Sequence, residues 1–109
     1  MKWKITYYST AVEDKILNLP KKLLARYSRL ADLMVNIGPN LGEPHTVAMG
    51  GGLFELRPKA QEGIARVFFC TLIGKEIVML HSIIKKTKKT PLKELRIAQQ
   101  RLKEVQDEQ

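Results

Sequence analysis

Hydrophobic and polar positions follow two periods along this chain, and the order in which they alternate outlines the fold. Residues Lys2 to Tyr8 alternate loosely, with Trp3, Ile5, Tyr7 and Tyr8 as the apolar or aromatic positions, and predict a first strand. Thr10 followed by Glu13 has capping-box spacing, which starts a short helix through about Leu19. Pro20 suits the first turn of a second helix reaching about Asn36. Leu23, Tyr27, Leu30, Met34 and Ile37 recur in steps of four and three, so they predict one buried helical face, until Gly38 and Pro39 stop it. Asn40 to Gly52 is rich in Gly, Pro and Asn and reads as a connector.

Strand period then takes over. Leu53 to Arg57 predicts a strand with Phe54 and Leu56 on one side and Glu55 and Arg57 on the other. Pro58 to Gly63 is a polar loop. Ala65 to Ile73 and Glu76 to Ile84 are long β-rich runs joined at Gly74-Lys75, a hairpin signal. Both runs are apolar on both faces, as the central pair of a sheet covered on two sides would be. Thr90 and Pro91 suit the N-cap and first position of a last helix with apolar positions Leu92, Leu95, Ala98, Leu102 and Val105 and a frayed polar tail beyond about 105. The predicted order is β-α-α-β-β-β-α: one α+β domain over residues 1–109, with a small, mainly antiparallel sheet packed against helices.

Composition narrows the possible roles. Among 109 residues, 44% hydrophobic content supports one modest core, and no apolar run approaches the roughly 20 residues of a membrane span. The N-terminus has no sustained apolar stretch of the kind a signal peptide needs. With a single cysteine, Cys70, neither an internal disulfide nor a Cys-based zinc site can form. Nineteen Lys and Arg against eleven Asp and Glu give a net charge of +8, which favours polyanionic partners through phosphate contacts and counterion release.

Familiar catalytic patterns are missing. Gly50-Gly51-Gly52 is not followed by the Gly-Lys-Ser/Thr of a phosphate-binding loop, and His45 and His81 stand apart without metal-ligand spacing. The basic residues are more informative. Arg57 ends one predicted strand, Arg66 begins the next, and Lys85-Lys86 follow the last. An antiparallel meander brings these three places to one end of the sheet. Cations gathered there could bind a phosphate, Arg in bidentate fashion. On RNA they could also do chemistry. The 2′-hydroxyl is a tethered nucleophile, so cleavage needs alignment, stabilisation of the phosphorane and proton transfer, with no metal or cofactor. A Lys crowded by cations has its pKa pushed down and can serve as a base. A solvated basic edge with no ligand remains the alternative reading of the same residues.

Three segments resemble HigB toxins, the phage-related branch of the RelE/ParE superfamily. They are Gly52-Leu53-Phe54-Glu55-Leu56-Arg57, then Arg66-Val67-Phe68-Phe69, then Leu80-His81-Ser82-Ile83-Ile84 running into Lys85-Lys86-Thr87-Lys88-Lys89-Thr90-Pro91. Leu41-Gly42-Glu43-Pro44 also looks like that family's connector. The resemblance spans about residues 40 to 101, and the earlier part matches only in element order. It implies a toxin that cuts mRNA in the ribosomal decoding site and is held inactive by a cognate helix-turn-helix, HigA-like antitoxin in the bacterial cytoplasm. By position it implies Arg57 and Arg66 on the scissile phosphate, Lys85 and Lys86 in the catalytic basic segment, and His81 as a candidate for proton transfer. Lys59, Lys88 and Lys89 are further candidates for RNA contact. Ile83 stands where the family often has Phe, and the last helix lacks the tyrosine that some RelE-type enzymes use. Two other expectations compete with cleavage: a ParE-like inhibitor of gyrase, and a non-enzymatic nucleic-acid-binding module. The crowded basic segment favours the nuclease over the first. The few aromatic residues, mostly at core-like positions, offer little stacking platform for the second.

Overall fold

The computed structural model describes residues 2–85 and 89–108. Its elements run β1 (Lys4–Tyr7), α1 (Thr10–Leu17), α2 (Lys21–Ile37), β2 (Thr46–Gly50), β3 (Leu53–Leu56), β4 (Lys59–Ala60), β5 (Gly63–Leu72), β6 (Glu76–Lys85) and α3 (Leu92–Asp107). The α+β class and the sequence of helices and long strands are as the hydrophobic pattern predicts. Two strands are additional. Thr46 to Gly50, inside the predicted connector, pairs antiparallel with β3, and Lys59-Ala60, inside the predicted loop, pairs with β5.

One six-stranded sheet has the order β1-β6-β5-β3-β2, with β4 beside β5 off that path. Every pair is antiparallel except β1 and β6, which run parallel with Lys4 opposite Glu76 and Tyr7 opposite Met79. The β5–β6 hairpin turns through Gly74 and Lys75, both with positive φ, a backbone that Gly adopts freely and Lys only in tight turns. Both faces of this central pair are covered. Ala65, Val67, Phe69, Ile77 and Met79 pack under α1 and α2, against Val12, Ile16, Leu23, Tyr27, Leu30 and Met34. Phe68, Cys70, Val78 and Leu80 pack under α3, against Ala98 and Leu102.

The helices differ in how they are held. Leu23, Tyr27, Leu30 and Met34 of α2 are all buried, whereas Ile37, predicted on the same face, is 73% exposed at the helix end. Only Ala98 and Leu102 of α3 are fully buried, and Leu92 is exposed. Ser9, one residue earlier than the sequence signal, caps α1 by accepting from the Val12 amide. Pro91, not Thr90, is the N-cap of α3, and the Thr90 hydroxyl is engaged elsewhere. The helix continues to Asp107. Among the described residues no helix is long and apolar enough to cross a membrane.

Candidate functional site

Strand alternation places Leu53, Glu55 and Arg57 on the α3 side of β3, with Arg66 and Phe68 on the same side of β5. Because α3 covers that side, Glu55 is 0% exposed and Arg66 only 2% exposed. A carboxylate and a guanidinium so far from water must neutralise one another. They do: Arg66 Nη1 donates to Glu55 Oε1 at 2.8 Å. Arg57 Nε donates to the same oxygen, and Thr90 Oγ1 donates to Glu55 Oε2 at 3.1 Å. One buried carboxylate thus gathers two arginines and the residue just before α3. The local sum is one net positive charge, and Arg57 carries it outward, with 32% of its side chain exposed.

The sheet register sets Lys85 beside this cluster. Arg66 is opposite Ile83 and Ile64 is opposite Lys85, so Lys85 is the diagonal neighbour of Arg66, about 7–8 Å away between backbones. The Lys85 Nζ donates to the Lys89 carbonyl. Lys89 is exposed. Lys86 and Lys88, two further predicted site residues, lie outside the described residues. Lys59 is exposed on β4, beside Arg57 in a pocket of about 260 Å3 that Arg26 and His45 also line.

His81 reaches the α3 side by a different device. Phe68 pairs with His81 but Phe69 pairs with Met79, so β6 carries a bulge at Leu80. Plain alternation from Ile77 and Met79 would turn His81 toward α1 and α2. The extra residue turns it instead under α3, where its ring stacks on Phe68 with centroids 6.1 Å apart. Nε2 lies 3.0 Å from Glu94 Oε1, and Arg101 Nη1 lies 3.5 Å from Nδ1 while donating to the Leu80 carbonyl at 2.8 Å. Burial lowers the His81 pKa, against the pull of its hydrogen bond to Glu94 and with help from Lys15. The neutral tautomer that fits has its proton on Nε2, donated to Glu94. Both ring nitrogens are therefore occupied, and only 7% of the residue is exposed. The hydrogen bond from His81 in turn holds the Glu94 carboxyl below its ordinary range.

Three residues that sequence reasoning passed over complete this region. Glu55 has the closest role, as the anion between the two arginines. Arg101 bridges His81 to Tyr8, its guanidinium 4.8 Å from the centre of the tyrosine ring, and the Tyr8 hydroxyl donates to Glu104. Cys70 sits deep in the same layer, and burial pushes its thiol up to about 11. Among the described residues no group of His, Cys, Asp and Glu could hold a metal ion.

Known structures share this fold. An archaeal RelE–RelB complex from Pyrococcus horikoshii OT3 contains a chain 20% identical over 82% of this one and all of its own length, with a TM-score of 0.57. A YoeB–YefM complex from Staphylococcus aureus contains one 13% identical over 78% of this chain and 99% of that one, also at 0.57. A second, heterotetrameric YoeB–YefM toxin–antitoxin complex from the same organism gives 14% identity, 74% and 94% coverage, and 0.54. At these identities the likeness is one of fold. No curated protein matches by sequence. The family model described as Phage derived protein Gp49-like (DUF891) matches residues 14–103, through both helical and strand layers. By that match the chain belongs to the phage-derived Gp49-like family.

Proposed function

We propose that this chain is the toxin of a type II toxin–antitoxin pair, of the HigB-like branch, and that it cuts mRNA on the ribosome. The observation that carries this reading is the arginine pair on one buried carboxylate, set at the sheet end where Lys85 and the basic segment begin, in a fold shared with RelE and YoeB chains. In this reading Arg57, a third exposed, meets the scissile phosphate. Arg66 acts from below as fixed charge and keeps Glu55 from repelling the substrate. The 2′-oxygen attacks phosphorus, the bond to the 5′-oxygen breaks, and a cyclic phosphate remains on the upstream fragment. One proton leaves the 2′-hydroxyl and one is supplied to the 5′-oxygen. Lys85 is near enough in register to assist, and Lys86 and Lys89 follow it closely in sequence. His81 takes part only if it leaves Glu94. A cognate antitoxin, HigA-like with a helix-turn-helix, is the expected partner. The structurally similar chains were solved as RelE–RelB and YoeB–YefM complexes, which supports an antitoxin partner, and the net charge of +8 suits an acidic partner segment.

The test is cleavage of a translated mRNA on purified ribosomes, mapped by primer extension, for the wild type and Arg57→Ala. The wild type should cut at substoichiometric amounts, and Arg57→Ala should lower the rate by about 10²–10³. Its stability should change by only about 1 kcal/mol or less, because its ion pair is partly solvated. Intact mRNA together with loss of gyrase supercoiling would replace this reading with the ParE-like one.

A further inference from the structure

Lys22, Arg26 and Arg29 recur at steps of four and three, so they share one flank of α2, beside the buried stripe of Leu23, Tyr27 and Leu30. The flank spans about 10 Å of helix. Strand β4 lies against it, and the two flank a shallow, open groove of about 310 Å3 lined by these three cations with Ala25 and Lys59. Arg26 and Lys59 also line the neighbouring pocket of about 260 Å3, whose other walls include His45 and Arg57. The two hollows are therefore one trough. It starts at Arg57, the exposed member of the Glu55 cluster, and runs along α2.

Charge in this trough is little compensated. Of its basic side chains only Arg57 is ion-paired among the described residues. Lys22 Nζ donates to Gln61, a neutral amide, and the one acid at the rim, Glu62, accepts from the Lys22 backbone amide at 3.2 Å without ion-pairing to any of these cations. Four cations on two facing elements, with the single carboxylate of Glu62 at the rim, leave a local positive excess that favours a bound polyanion. Two of the four are Arg, suited to bidentate phosphate contact. Among the described residues no Phe, Tyr or Trp lines it, and His45 offers the one ring on which a base could stack, so the recognised part is chiefly the backbone and not the sequence.

We infer that this trough holds the sugar-phosphate backbone of the substrate RNA strand where it leaves the scissile phosphate at Arg57. The inference rests on the nuclease reading for its starting point. It adds Lys22, Arg26 and Arg29 as residues that bind substrate and take no part in bond breaking.

The test uses a single-stranded oligoribonucleotide carrying 2′-O-methyl groups, which removes the nucleophile and so separates binding from cleavage. Binding to the free protein is followed by fluorescence anisotropy between 50 and 200 mM salt, for the wild type and for Arg26→Gln with Arg29→Gln. Two lost phosphate contacts should reduce the slope of log affinity against log salt by about 1.4. The circular dichroism melt should stay close to wild type. An unchanged affinity and slope would overturn the inference. So would a variant that binds the oligonucleotide normally but no longer binds vacant ribosomes, since the trough would then serve ribosomal RNA. Failure of the nuclease reading shows differently: the wild type would leave mRNA uncut while the slope still depends on Arg26 and Arg29.

Discussion

Glu55→Gln tests the centre of the site most directly. The substitution keeps the side chain's size and one acceptor oxygen and removes the charge. Arg66, 2% exposed, would then keep its guanidinium in the interior without the carboxylate 2.8 Å away. Breaking a buried pair by removing one partner costs about 3–5 kcal/mol. Arg57 contributes less to that loss, because water already reaches a third of it. For a domain of this size about 4 °C of Tm accompanies each kcal/mol, so the midpoint should fall by about 12–20 °C. Urea denaturation read by far-ultraviolet circular dichroism measures the free energy, and repeating it in high salt separates buried from surface charge, since buried pairs are screened little. The double variant Glu55→Met with Arg66→Met gives the decisive comparison. Replacing both members of a buried pair by apolar groups is often neutral or stabilising. The double variant should therefore recover most of what Glu55→Gln loses. A cost below about 1 kcal/mol for Glu55→Gln, or a double variant less stable than the single, would refute the claim that this carboxylate is held by charge.

Two other outcomes follow from groups in the same layer. His81 has a pKa lowered below its ordinary value of 6.5, so the unfolded chain takes up a proton there before the native one does. Its contribution to stability is complete above pH 6.5 and is lost as pH falls through the lowered value. Stability from urea curves should drop in that window for the wild type and stay flatter there for His81→Gln, while Glu94, lowered from 4.5, acts only at more acid pH. Cys70 is 1% exposed and its thiol is raised to about 11, so a thiol reagent at neutral pH should leave the native protein unmodified and label it once in denaturant. Rapid labelling of the native protein would show that the α3 layer opens easily.

How far the sequence discloses this site depends on the element. The β5–β6 pair was readable because apolar residues on both faces require cover on both faces. The same fact bears on β3, where alternation alone put Glu55 and Arg57 on a polar side. Once both faces of the neighbouring strand are covered, that side is interior too, and a lone acid there must have a basic partner nearby. Strand β2 was hidden by the glycines after it and Pro44 before it, although Gly51-Gly52 between Met49 and Leu53 is itself a hairpin signal. The bulge at Leu80 leaves no mark in composition. It is a local pairing choice of the finished sheet, and it alone decides which helix His81 faces. The stripe of α2 was legible from its period, but the trough beside it depends on β4, two residues too short to announce themselves.

The parallel pairing of β1 with β6 has a consequence for how the molecule comes into being. Thr6 reaches Glu76 across 70 residues, with a hydrogen bond of 2.7 Å. The opening strand therefore has no strand to pair with until most of the chain exists, and it must wait unpaired while the hairpin that receives it is made. Contacts of such long span are formed late and slowly. A nascent chain stopped short of β6 would carry its early helices without a sheet edge to anchor their lead-in strand. The sheet would then close all at once, when β6 has been made.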